Sequence, residues 1–225
     1  MKTIILISIL YLNLISFGQK TIEFKDGSVY VGHIIKGQFH GHGKMVWASG
    51  STFEGAWKNG AQNGEGKFTW VSGATYYGDW KNGTRNGKGV YHYSDNSVYT
   101  GTWKDGKING KGTRVWGSGI QYIGDWLDGE QHGKGKRIWP NGDEYNGNWK
   151  NGKPDGNGEF KYSNGSRYTG KWKKGQKEGK GTYYWANGDK YIGQWIDGFK
   201  HGKGIIYFEN GAIDQGRWNH GDFAK

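Results

Sequence analysis

From Tyr30 to the C-terminus the chain returns on itself every 23 residues without an insertion or deletion. A fixed period of this length means an array of small units, each buried only against its neighbours. With Tyr30 as position 1, position 5 reads Ile34, then Trp57, Trp80, Trp103, Trp126, Trp149, Trp172, Trp195 and Trp218. Positions 3 and 8 are glycine in all nine units, and positions 12 and 14 in all eight complete ones. Position 21 is glycine throughout except at Asn96, so all but two of the 44 glycines stand in register. Glycine is therefore positional here, and Gly78, Gly87, Gly89, Gly101, Gly110 and Gly112 represent the set expected to be structural.

Only 33% of the chain is hydrophobic and 16% is aromatic, too little aliphatic material for a thick central core. A repeat array does not need one, because its stability is a sum over units and their interfaces. Disordered segments are poor in aromatics, whereas this chain has 13 Trp and 15 Tyr.

Tyr76, Gly78 and Trp80 alternate with period 2, the period at which strand side chains change faces. Position 18, aromatic in every full unit (Trp70, Trp116, Trp139 and Trp185 among them), gives a second strand with rings on one face. Between the strands stand pairs such as Asn59-Gly60, Asn82-Gly83 and Asp105-Gly106, which suit the positive φ angles of a type I′ hairpin turn. The next connection ends at a position-21 glycine, as three-residue loops do after a type I turn, and Asn96 tolerates the same left-handed conformation. The period is odd, so equivalent residues keep their face only with one even and one odd connection, as these turns provide. The expected fold is an all-β, elongated, single-layer antiparallel hairpin solenoid. Counting across the two-residue turn places Gly78 opposite Gly87 and Tyr76 opposite Gly89. Counting across the longer turn places Gly101 opposite Gly89. Neighbouring Trp and Tyr rings are expected to lie in the resulting glycine channel.

Residues 1–18 differ from the rest: Lys2, an apolar run from Ile4 to Leu14, then Ser16 and Gly18 as small residues before a cut preceding Gln19. This is the pattern of a secretory signal peptide, and the run is short for a hydrocarbon core of about 30 Å. The expected organisation is a signal peptide (1–18), a lead with a half unit (19–29), eight full units (30–213) and a partial capping unit (214–225). Export to the periplasm or beyond is the expected destination. The chain has no cysteine, so no disulfide reports on compartment.

The unit Tyr76-Tyr77-Gly78-Asp79-Trp80-Lys81-Asn82-Gly83, followed by Gly87-Lys88-Gly89, resembles the MORN repeat, the membrane occupation and recognition nexus. The resemblance covers about nine tenths of the chain. It implies stacked antiparallel hairpins in an elongated sheet with an aromatic-lined groove, serving as a scaffold, an association surface or an anionic-lipid contact. Family members often carry an appended catalytic domain, but nothing outside the array is long enough to supply one. Choline- and glucan-binding hairpin repeats are also aromatic and glycine-rich, yet lack the paired Gly-x-Gly.

No motif for catalysis, metal or cofactor emerges, and neither an enzymatic activity nor a cofactor is expected. The Gly83–Gly89 string is followed by no helix, as a dinucleotide loop requires. His40, His132 and His201 share position 11 but stand three or four units apart, and His40 with His42 lacks a third ligand. The carboxylates show no recurring pair of the kind a glycosidase needs. The net charge of +11 is more informative. Lys88, Lys111, Lys134, Lys180 and Lys203 at position 13, with Lys44, Lys67 and Lys136 at position 15, are expected on the face away from the rings. That row suits an anionic surface, either lipid or polysaccharide, and also suits simple solubility of an exposed sheet. The tryptophan stripe at positions 5 and 18 reads as packing between units, with part of it open to a ligand. The expected function is a non-catalytic exported scaffold with a protein partner or an anionic envelope surface, the alternatives being a lipid adaptor and a glycan-binding module. Self-association through free sheet edges is expected as well. Nucleic acid would suit the charge but not an exported chain.

Overall fold

The structure, a computed structural model, describes residues 18–224. The predicted signal peptide lies outside the described residues except for Gly18. Among the described residues there is no helix, and 19 strands form one open antiparallel sheet in which each strand pairs with its neighbours in sequence. Each unit is a hairpin of a seven-residue and a nine-residue strand, such as Thr75–Lys81 and Thr84–His92. The sheet ends in two free edges, Lys20–Glu23 and Asp222–Ala224.

Both turn types follow the sequence. Asn82 and Gly83 sit at φ 48 and 78, the left-handed pair of a type I′ turn. Lys36, Lys174 and His220 adopt the same conformation without the usual Asn or Asp. In the longer connection Trp70 N donates to Ala74 O and Gly73 N to Trp70 O, each at 2.9 Å, and Asn96 takes the glycine's place at φ 64. Hairpins are also tied end to end, since Gly83 N donates to Gln62 O of the preceding unit at 2.9 Å.

The register within each hairpin differs from the expected one. Gly78 faces Gly89, not Gly87, and Tyr76 faces Tyr91, not Gly89. The second strand carries two extra residues in a bulge around the position-12 glycine, where Gly87 and Gly110 both have φ 76. Asp79 Oδ2 closes this bulge by accepting the Lys88 N–H at 2.8 Å, and Asp125 accepts from Lys134 at 2.9 Å. Across the longer turn Gly89 faces Gly101, as expected. The corrected register has a large consequence: glycines 3 and 14 pair on both sides, so a bare row crosses the whole sheet from Gly32 to Gly216.

That row is filled by each full unit's own ring at position 1, Tyr in every unit but the second, which has Phe53. A Cβ built on Gly89 would lie 2.4 Å from Tyr76 Oη, so only glycine leaves room for the ring. Tyr76 Oη then donates to Asp79 O at 3.0 Å, and the ring has no exposed surface. Trp80 and Trp103 stand edge-on to the same phenol at 5.2 and 5.3 Å, and every trough tyrosine from Tyr76 to Tyr191 is wedged in this way between the indoles of two units. Burying a ring of this size contributes about 4 to 6 kcal/mol before entropy. One layer of sheet is thereby given a core.

Candidate functional site

The sheet offers two faces, one carrying the rings and one opposite. On the ring face the position-5 tryptophans Trp57, Trp80, Trp103, Trp126, Trp149, Trp172 and Trp195 are core residues; Trp149 is 3% exposed and Trp172 8%. Their indole N–H groups donate to the position-14 carbonyl of the preceding unit, as Trp57 does to Gly43 O at 3.0 Å and Trp149 to Gly135 O at 2.8 Å. Trp103 and Trp218 lack this bond, and these two carry a cation closest over the ring: Arg85 at 4.3 Å and Lys200 at 3.8 Å.

Trp70, Trp116, Trp139 and Trp185 at position 18 are half-buried and belong to a second tier with the residue at position 16. Phe68 and Trp70 are 4.4 Å apart, Trp70 and Tyr91 5.1 Å, and Tyr91 and Tyr93 4.3 Å. In the two central units Arg114 and Arg137 replace the ring, and each guanidinium lies 5.0 Å from its own unit's indole, Trp116 and Trp139. The ladder resumes with Trp139 and Phe160 at 5.4 Å. These cations, with Arg85, Lys177 and Lys200 at position 10, were not foreseen. The available signal was position 16, otherwise Met45, Phe68, Tyr91, Phe160, Tyr183 or Ile206, which places any arginine there among rings. Burial pushes Lys177 down to about 8 and lowers Lys200, Arg85 and Arg137. Burial likewise raises the tyrosines of the glycine row, Tyr191 to about 12.

The opposite face is a grid of three rows that run across the strands. Position 2 pairs with position 15, as Tyr77 with Val90; position 4 with position 13, as Asp125 with Lys111; and position 23 with position 17, as Lys190 with Tyr184. All eight candidate lysines stand on this grid, exposed apart from the half-buried Lys136. Lys44 pairs with Glu54 at 3.6 Å, Lys111 with Asp125 at 2.5 Å and Lys136 with Glu144 at 2.9 Å. Burial works against the charge of Asp125, yet the Lys111 ammonium and the Lys134 N–H hold its carboxyl below the usual range. Between the first two rows the glycine backbone floors shallow depressions of about 490 Å³ beside Tyr77 and Val90, and about 530 Å³ beside Ile192 and Ile205.

The structural glycines divide as described: Gly78, Gly89, Gly101 and Gly112 lie in the bare row, Gly87 and Gly110 in bulges. His33 faces His40 across the first hairpin, with His42 two residues on. Among the described residues no group of three or more His, Cys, Asp or Glu is placed to hold a metal ion.

This geometry defines an open β-hairpin repeat protein, one face spent on its own packing and the other presented outward. Eight successive stretches, from residues 30–52 to residues 191–213, match the MORN repeat, and the chain belongs to the MORN-repeat family. No curated protein sequence matches it. Among solved structures it is similar to the TCP10 domain of Danio rerio CPAP, at 10% identity and a TM-score of 0.50, over 88% of this chain and 94% of that one. The G-box domain of the microcephaly protein CPAP follows at 11% identity, TM-score 0.48, 90% and 100% covered. At such identities the likeness is one of fold alone.

Proposed function

We propose that this protein is a non-catalytic, exported binding scaffold that offers the face opposite its rings to a protein partner. The observation that carries the reading is the fate of the position-5 tryptophans, buried and mostly hydrogen-bonded to backbone, so that the repeated residues are consumed in holding the sheet. The residues that change from unit to unit, such as Glu54, Tyr77, Thr100, Ile123 and Ile192 at position 2, stand on the other side. MORN repeats are generally binding scaffolds, which supports the same role here. Export rests on the leader-like run before Gln19.

The test is site-specific photocrosslinking in the native cell, with the reactive residue placed at Thr182 on the opposite face or at Trp139 on the ring face. Adducts to a discrete protein from Thr182 are expected. Adducts confined to Trp139 would overturn the assignment of the face. An intact mass beginning at Gln19 checks export.

A second reading, contact with an anionic lipid surface, is favoured by Lys67, Lys88, Lys134, Lys180 and Lys203, none of which forms an ion pair among the described residues. Flotation with anionic vesicles at low and high salt decides it, since lysine-driven binding weakens with salt. Binding that is absent or indifferent to salt dismisses it.

A further inference from the structure

The opposite face is not electrically uniform along its length. Through the first units its cations alternate with carboxylates, and three of the lysines are neutralised in pairs with Glu54, Asp125 and Glu144. From Arg167 to Arg217 the three rows hold no carboxylate at all. Glu178, beside the Lys171 row on the same face, turns to the hairpin end and accepts the Asp197 N–H at 3.4 Å, and Glu159 at the border of this stretch pairs with Arg167 at 3.5 Å.

The arrangement of the stretch is as telling as its sign. One outer row presents Lys171, Lys180, Lys203 and Arg217, with Lys203 directly opposite Arg217 across the strands. The other outer row alternates Arg167, Tyr184, Lys190 and Tyr207, four hydrogen-bond donors, before it ends at Ile213. The middle row between them runs Thr169, Thr182, Ile192, Ile205 and Gln215, so that two adjacent isoleucines form its centre, with Ile192 43% exposed. Outer rows four residues apart along a strand are about 13 Å apart. An α-helix with its side chains is about 10 to 12 Å across. A helix laid across the strands would therefore rest its apolar stripe on Ile192 and Ile205 while carboxylates on both flanks reach the two donor rows. An extended polyanion is too narrow to engage both rows at once, and a bilayer would meet the tips of all three rows alike. The stretch covers four strand spacings, roughly 19 Å, which is about 13 residues of helix.

We propose that the C-terminal third of this face is a docking site for an amphipathic, acidic helix of a partner protein, a helix-in-groove mode. This rests on the scaffold reading above and specifies its partner. A second copy of the chain is not the occupant, because the described residues contain no helix.

The probe is a fluorescent synthetic peptide of about 14 residues with leucines at i, i+3, i+4 and i+7 and glutamates on both flanks. Binding to the full chain is measured by anisotropy, beside a scrambled peptide of identical composition, anionic vesicles and polygalacturonate. Lys180→Glu with Lys203→Glu is expected to weaken binding about tenfold or more, Ile192→Ser about fivefold, and the control Lys44→Glu with Lys67→Glu less than about twofold. All these side chains lie on the surface grid, and circular dichroism verifies that each variant is folded. The proposal is overturned if the scrambled peptide binds as tightly, if both charge reversals weaken binding equally, or if vesicles or polygalacturonate displace the peptide at matched charge. Should it fall while photocrosslinks still arise from Thr182, the scaffold reading survives without this partner.

Discussion

The two faces of this sheet obey opposite rules. On the ring face, position 1 is Tyr in seven of the eight full units, each ring occupies the same glycine trough, and each phenol donates to the same carbonyl, from Tyr30 to Tyr191. On the other face position 2 runs through Val31, Glu54, Tyr77, Thr100, Ile123, Asn146, Thr169 and Ile192. A single-layer sheet has only one side available for a core, so the fold is specified there and the other side is free to diversify. Substitutions should therefore be costly on one side of a strand and nearly neutral one residue away.

The broadest way to break this contrast is alkaline pH, because the tyrosines whose protonation is tied to folding lie on the ring face. Burial raises Tyr76, Tyr99, Tyr122, Tyr145 and Tyr168 above the ordinary value of 10.0, and Tyr191 to about 12. Below pH 10 the phenols are protonated in both states. Above it the unfolded chain releases protons that the native one keeps, so stability falls as pH rises through 10 toward the native values. Cooperative unfolding is expected over that interval, with phenolate absorbance appearing together with loss of near-ultraviolet dichroism. Phenolate absorbance that accounts for every tyrosine near pH 10 while the dichroism persists would show that the rings are not held as described.

A single methyl group tests the trough itself. In Gly112→Ala the new Cβ would fall 2.3 Å from Tyr99 Oη and 2.6 Å from its Cζ, and Tyr99 is anchored by its bond to Thr102 O at 3.1 Å. The ring has nowhere to go, and a loss of about 3 kcal/mol is expected, the upper end of overpacking costs. Thr113→Ala, the adjacent residue on the opposite face, should change stability by less than about 0.5 kcal/mol. Urea denaturation of both variants decides it, and equal costs would refute the contrast between the faces.

Much of this was legible in the sequence because the repeated residues are those whose chemistry is local. Asn82-Gly83 needs positive φ whatever surrounds it, and Asn96 replacing a glycine confirms what position 21 requires. The bulge at Gly87 was not legible, because it adds two residues and so returns every later side chain to its original face. Alternation, the signal on which register was counted, is blind to an even insertion. The consequence was a misplaced partner for Tyr76, expected opposite Gly89 and found opposite Tyr91. On the site, parity placed the lysines on the grid, but the cations at position 10 were not legible because that position carries no fixed residue type, and those at position 16 were legible only as two breaks, Arg114 and Arg137, in an otherwise apolar series. Lys177 became visible only as a neighbour of rings.

Those ring-face cations sharpen the comparison, since they are the variable residues on the constant side. Lys177 lies 4.8 Å from the Tyr183 ring and 5.0 Å from the Trp195 ring, and burial lowers it to about 8 from an ordinary 10.5. Between those values the unfolded chain binds more protons than the native one, so this residue makes stability rise with pH from about 8 to 10.5. Lys177→Met is expected to raise the melting temperature at pH 7 and to remove that rise. A variant less stable than wild type at pH 7 would mean that the ammonium holds the rings more firmly than its desolvation opposes it.

The smallest expected effect lies where the ring face departs from its own rule. Phe53 occupies the trough of the second unit with no exposed surface, and a Cβ built on Gly66 would meet its Cζ as closely as those on Gly89 and Gly112 meet their tyrosines, whereas one built on Gly55 would stand 3.1 Å away, where the hydroxyl is missing. What is missing is the hydroxyl that would donate to Ala56 O, the counterpart of Tyr76 to Asp79 O. Phe53→Tyr adds only that group, in a cavity whose seven equivalents already accommodate it, and should stabilise by about 1 kcal/mol, the net worth of one hydrogen bond. Tyr99→Phe should cost about the same, so the two substitutions together ought to leave the midpoint of urea unfolding near that of wild type. A loss from Phe53→Tyr would mean that the second unit sits in a trough of different depth, and the constancy of the ring face would then hold for the sequence but not for the packing.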